Sequence, residues 1–190
     1  GEPGNQNFLT PEFWQPMVET VHGTIVECNT AYPGERNTTD AHRRTMIKHG
    51  WSKLFDVDIL DAEGPDLELP IPNGKRIQKN LVGKDIKNYD SMLVLSHFKG
   101  HPMGGFGGAL KQLSIGCASS AGKANIHGAG KPEEMWTTEQ NAFLESMADA
   151  AESVVKLFDG KIVYINVMKN MSVDCDCCAV AADPCLKDIG

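Results

Sequence analysis

Ser91-Met92-Leu93-Val94-Leu95-Ser96 is a run of six residues with a continuous apolar centre, bounded by Asp90 and by the glycine-rich stretch that begins at Gly100. Its length and content predict a strand buried on both faces. Downstream, Thr137 to Phe158 predicts a helix. Thr137 with Gln140 forms a capping box, and Phe143, Met147, Ala151, Val154 and Phe158 trace one apolar face at helical spacing. Asp159-Gly160 ends it, and Ile162-Val163-Tyr164-Ile165 opens a second β-rich run that reaches Met168. Strand, helix and strand in this order define a βαβ unit with parallel strands.

Upstream the alternation continues. Pro11 to Val21 predicts a helix, with Thr10 before it, Pro11 at the first helical position and Gly23 past the end. Thr24 to Cys28 and Val57 to Leu60 predict short strands, with a helix from Thr38 or Thr39 to His49 between them. Residues 67–79 predict a small hairpin excursion turning at Asn73-Gly74. A glycine-rich loop over Gly100 to Gly108 leads into a short helix ending near Leu113. The expected fold is α/β: a mostly parallel sheet flanked by helices on both faces, forming one domain over residues 1–190. Sites in such sheets form beyond the carboxyl ends of strands, which points to His97 onward and to Cys175 onward.

The 190 residues are enough for one domain with a substantial core. Apolar content of 41% argues against a disordered chain. A formal net charge of −7 leaves no basic footprint for nucleic acid or anionic lipid, and no apolar run reaches the length of a membrane span. Four of the six cysteines crowd into eleven residues, and no secretory signal is visible. That pattern favours a reducing, cytoplasmic setting and metal ligation over disulfides.

Three candidate sites follow. Cys175 and Cys178 are three apart, a spacing that lets two thiolates bend round one metal ion, with Cys177 and Cys185 as further ligands. Thiolates suit zinc or an iron–sulfur cluster, although the ferredoxin spacing is absent. His97 and His101 are additional metal ligands from a loop, or acid–base groups together with Lys99 and Lys111. Gly104, Gly105, Gly107 and Gly108, with Lys111 and Lys123, predict an anion nest for a phosphate or another small anionic ligand. It matches neither the Walker nor the dinucleotide pattern, and close packing of loop on sheet explains the glycines equally well.

Several of these blocks together resemble a known family. Ser96-His97-Phe98-Lys99-Gly100-His101, Gly105 to Lys111, Gly116-Cys117-Ala118, Gly122-Lys123 and Asp174-Cys175-Asp176-Cys177-Cys178 are similar to a bacterial and archaeal domain-of-unknown-function family, number 362. So are the opening Gly1-Glu2-Pro3-Gly4-Asn5 and the closing Asp188-Ile189-Gly190. Its members are often called uncharacterised iron–sulfur centre proteins, and many carry ferredoxin-type cysteine runs outside the core domain. The resemblance implies that the natural chain extends past both ends of this one.

These readings lead to three functional expectations. The first is a metal- or iron–sulfur-binding protein that exchanges electrons with a redox partner. The second is an enzyme that takes an anionic small molecule at the His97–Lys111 loop. The third is a structural zinc module.

Overall fold

In a computed structural model, residues 8–169 and 171 are described. Helix α1 spans Pro11–Val21 and stops where His22 adopts a left-handed conformation (φ 50°) that returns its N–H to the Val18 and Glu19 carbonyls. Strand β1 is Ile25–Glu27. Helix α2, Thr39–Lys48, is capped by the Thr38 hydroxyl, which accepts from the Ala41 amide. A single turn, α3 (Trp51–Leu54), leads to β2 (Val57–Ile59), which pairs in parallel with β1.

The excursion follows as β3 (Leu67–Pro70) and β4 (Lys79–Val82), an antiparallel pair. Pro70 pairs with Lys79, so the connection is eight residues long, 71 to 78, and not a tight Asn73-Gly74 hairpin. The carboxylate of Asp149, from a helix much later in the chain, organises that loop by accepting from the amides of Lys75, Arg76 and Ile77 at 3.0, 2.7 and 3.1 Å. A long-range side-chain anchor therefore supplies what local turn chemistry was expected to supply.

Strand β5 (Met92–His97) follows the expected run by one residue. The glycine-rich stretch is not an open loop. It forms an antiparallel hairpin, β6 (Lys99–His101) with β7 (Gly105–Gly107), and Gly105 holds the positive φ of 74° that the turn requires. Helix α4, Ala109–Lys111, continues into a π-helical turn over Gln112–Gly116. Helix α5, Ser120–His127, was not expected from the sequence.

Helix α6 runs Gln140–Phe158. Its start is later than the Thr137 capping box predicts, because the Glu139 carboxylate caps it by accepting from the Asn141 and Ala142 amides. The expected face, Phe143, Met147, Ala151, Val154 and Phe158, is buried throughout. Each of its large side chains stabilises the fold by about 1.5–3 kcal/mol relative to exposure. Strand β8, Ile162–Val167, is the last strand among the described residues and pairs in parallel with β5.

The architecture is mixed α and β. Among the described residues the strands pair as four two-stranded sheets, two parallel and two antiparallel, where the sequence suggested a mostly parallel sheet. Side chains alternate across the parallel pairs in the usual way. Ile25, Leu95 and Val167 pack with Leu9, Trp14 and Val18 of the α1 side, whereas Val26, Val94 and Ile162 join the core formed with Ala151, Val154 and Phe158 of α6. No helix among the described residues is long and apolar enough to cross a membrane.

Candidate functional site

The β1 and β5 strands end next to α2, and the space between them is a cavity of about 210 Å³. Its apolar wall includes Leu9, Trp14, Ile25, Leu95 and Trp51, drawn from the same cluster that seats α1. Its polar wall comes from Glu27 at the end of β1, Arg36, His42 and His49 from the α2 region, His97 and Lys99 at the β5–β6 junction, and Gln112 of the π-turn. Strand alternation explains the β5 contribution. Val94 and Ser96 point into the interior shared with α6, so Leu95 and His97 point the other way.

His97 donates its Nε2–H to the Lys169 carbonyl at 2.6 Å. Val167 lies in register with His97, and the Phe98 amide donates to the Val167 carbonyl. The ends of β5 and β8 are therefore side by side. Arg36 donates from Nη2 to the Tyr32 hydroxyl at 3.0 Å. His42 is 2% exposed, and its Nδ1 lies 3.2 Å from Asn29 Oδ1. Burial pushes the His42 pKa down; Glu27 opposes that shift, and Arg36 adds to it.

The remaining predicted residues fall elsewhere. His101 does not line the cavity. It sits in the β6–β7 hairpin, where Nδ1 accepts from the Gly104 amide at 3.0 Å. Burial, followed by the charges of Lys111, His127 and Lys99, pulls its pKa down to about 4. His127 stacks on Phe143 and donates Nδ1–H to the Lys123 carbonyl at 2.7 Å, and its pKa too is lowered chiefly by burial. Of the glycines expected to form an anion nest, Gly104 has its N–H taken by His101, and the N–H of Ala109, next to Gly108, is taken by the Asn166 side chain. Lys123 is buried and gives its ammonium to the Ala118 carbonyl at 2.6 Å, so it is built into the interior next to Cys28 and Cys117. Cys175, Cys177, Cys178 and Cys185 lie outside the described residues. Among the described residues no group of three or more His, Cys, Asp or Glu side chains is placed to hold a metal ion.

Sequence reasoning found His97 and Lys99 and missed Glu27, Arg36, His42 and His49. The signal for the missed group was the carboxyl end of β1. The rule that sites lie beyond strand ends applied there as well as at β5, and Glu27-Cys28-Asn29 stood at that position.

The fold and the site define a mixed α/β protein with a small polar cleft at the ends of its β1 and β5 strands. The model of the domain of unknown function DUF362 matches residues 1–190, so the chain belongs to that family. No curated protein and no solved structure matches it.

Proposed function

We propose that the cleft between β1, β5 and α2 binds a small anionic molecule. One observation carries this reading: Arg36 and Lys99 line a single cavity with His42, His49 and His97, and Glu27 is the one carboxylate among the described lining residues. Among the described lining residues, two cations face one carboxylate in a chain whose overall charge is −7. Low-dielectric walls such as Trp14, Leu95 and Trp51 strengthen attraction for an anion entering the cavity. The volume is below the usual range of about 300–1,000 Å³ for drug-sized ligands, so a short carboxylic acid or a phosphate is the fitting size. In this reading His97 and Lys99 belong to the anion site, with Arg36 added and with His101 and Lys111 outside the cleft.

The test is isothermal titration calorimetry with inorganic phosphate, succinate and malate, using the wild-type chain and the Arg36→Ala/Lys99→Ala double variant. Saturable binding to the wild type that is lost in a folded double variant supports the reading. Absence of binding for every anion, or equal binding to both proteins, contradicts it.

A second reading rests on a different observation. Histidines that ligate metals usually donate their other ring N–H to a carboxylate or a backbone carbonyl, and His97 donates Nε2–H to the Lys169 carbonyl. Cys175, Cys177, Cys178 and Cys185 follow β8 in the sequence, and β8 runs alongside the strand that carries His97. The reading is that these thiolates, with His97, hold zinc or an iron–sulfur cluster in a cytoplasmic protein with a redox role. Thiolate and imidazole donors fit either group, which would supply electron transfer or a structural brace. Elemental analysis of anaerobically purified protein decides it. Stoichiometric zinc or iron that falls in Cys175→Ser/Cys178→Ser supports the reading, and no metal before or after reconstitution refutes it.

A further inference from the structure

Three side chains at the back of the cleft form a hydrogen-bonded series whose polarity can be worked out from its far end. The Thr39 hydroxyl donates its single proton to the Ala62 carbonyl at 3.1 Å. It can therefore only accept at its contact with Asn29, 3.1 Å away, which makes the Asn29 partner Nδ2. The Asp61 carbonyl, 3.5 Å from Nδ2, agrees with that assignment. Asn29 must then face His42 with Oδ1, a pure acceptor, so Nδ1 of His42 carries the hydrogen between them.

Asn29 has little freedom to turn round. It is buried, and its own amide donates to Asp61 Oδ1 at 2.8 Å while Asp61 Oδ2 accepts from the Ser120 amide at 2.8 Å. The ring of His42 is surrounded by Glu27 from β1, Arg36 from the following loop, Lys123 from α5 and Asp61 after β2. Burial favours the uncharged imidazole. A neutral ring with hydrogen on Nδ1 has a lone pair on Nε2, and His42 is part of the cavity wall. No hydrogen bond from a described residue occupies that nitrogen.

We infer that His42 Nε2 is a fixed hydrogen-bond acceptor in the cleft, and that the anion taken there carries a hydroxyl group that donates to it: a short hydroxy acid. This rests on the cleft being an anion site, and it adds the chemistry that would select among anions. A site that presents a buried acceptor discriminates against the matched ligand lacking the donor, because the acceptor is then left desolvated and unmet. Asn29 is the positioning residue, since it sets the tautomer without reaching the cavity wall.

The probes are malate and succinate, which differ by one hydroxyl. Calorimetry on the wild-type chain is expected to give malate at least about a tenfold lower Kd, consistent with one buried hydrogen bond. In His42→Leu the two acids should bind alike. A second measurement does not depend on that variant folding. Long-range ¹H–¹⁵N spectra of histidine-labelled wild type should show His42 with a bare Nε2 and a protonated Nδ1, and malate but not succinate should shift the Nε2 signal. A protonated Nε2 in the free protein overturns the inference. So does equal binding of the two acids by the wild type, which would leave the anion reading intact. Binding of neither acid removes this inference, and if phosphate does not bind either, the anion reading falls with it.

Discussion

Replacing Asp149 by alanine isolates one side chain that joins α6 to the loop between β3 and β4. The carboxylate is largely buried and accepts from three consecutive amides, Lys75, Arg76 and Ile77. The first two residues are exposed, so water can replace much of what their amides lose, and about 0.5–1 kcal/mol each is a fair cost. Ile77 is 3% exposed, and its stranded amide costs about 1–3 kcal/mol. The total is about 3 kcal/mol, or a fall in Tm of about 6–12 °C for a chain of this size. Asp149→Asn keeps one acceptor oxygen and should lose roughly half as much. The neighbouring Glu145 meets Lys75 and Arg76 at the exposed surface, so Glu145→Ala should cost clearly less than Asp149→Ala. Urea denaturation of the three variants, with unchanged m values, measures the order. A loss below about 1 kcal/mol for Asp149→Ala, or equal losses for Asp149→Ala and Glu145→Ala, would refute the account of this loop.

Further expectations concern the interior and the hairpin. A Cβ on Gly122 would sit 2.1 Å from the Leu81 carbonyl oxygen, so Gly122→Ala must push α5 off β4 and should destabilise by about 1–3 kcal/mol in the same denaturation assay. His101 has its pKa held down to about 4 against an ordinary value of about 6.5, so the unfolded chain binds the extra proton first as pH falls. Stability should therefore decline as pH drops from about 6.5 to 4, and His101→Asn should flatten that decline in a pH series of thermal melts. Burial pushes the Cys117 thiol up to about 12 and the Cys28 thiol well above its usual range. Both should resist iodoacetamide at pH 8 in the folded protein and react on unfolding, as read by peptide mass spectrometry.

What could be read from sequence followed from where local chemistry decides the outcome. Helix α1 begins at Pro11, where proline's fixed φ suits the first turn, and β5 and β8 are long apolar runs with no competing structure. Local signals misled where a distant group took over. Glu139 displaced Thr137 as the α6 cap, and Asp149 replaced a tight turn at Asn73-Gly74. Helix α5 was invisible because Ser120 to His127 is rich in small residues and carries only a weak apolar face, its position being set by Gly122 against β4. The glycine-rich stretch read as a loop, yet its backbone pairs as β6 with β7, which costs no side-chain packing. At the site, His97 and Lys99 were legible as residues just past a strand. His42 was not, since nothing in its helix states that α2 lies across the end of β5 or that Asn29 stands behind the ring.

The central claim is that the cleft takes a small anion between Arg36 and Lys99. A crystal structure of the wild-type chain grown with malate tests it most directly. The account predicts the acid inside the cavity, with carboxylate oxygens on Arg36 and Lys99 and its hydroxyl on His42 Nε2. Malate bound only outside the cavity, or an empty cleft at a malate concentration that saturates the calorimetric signal, would contradict it.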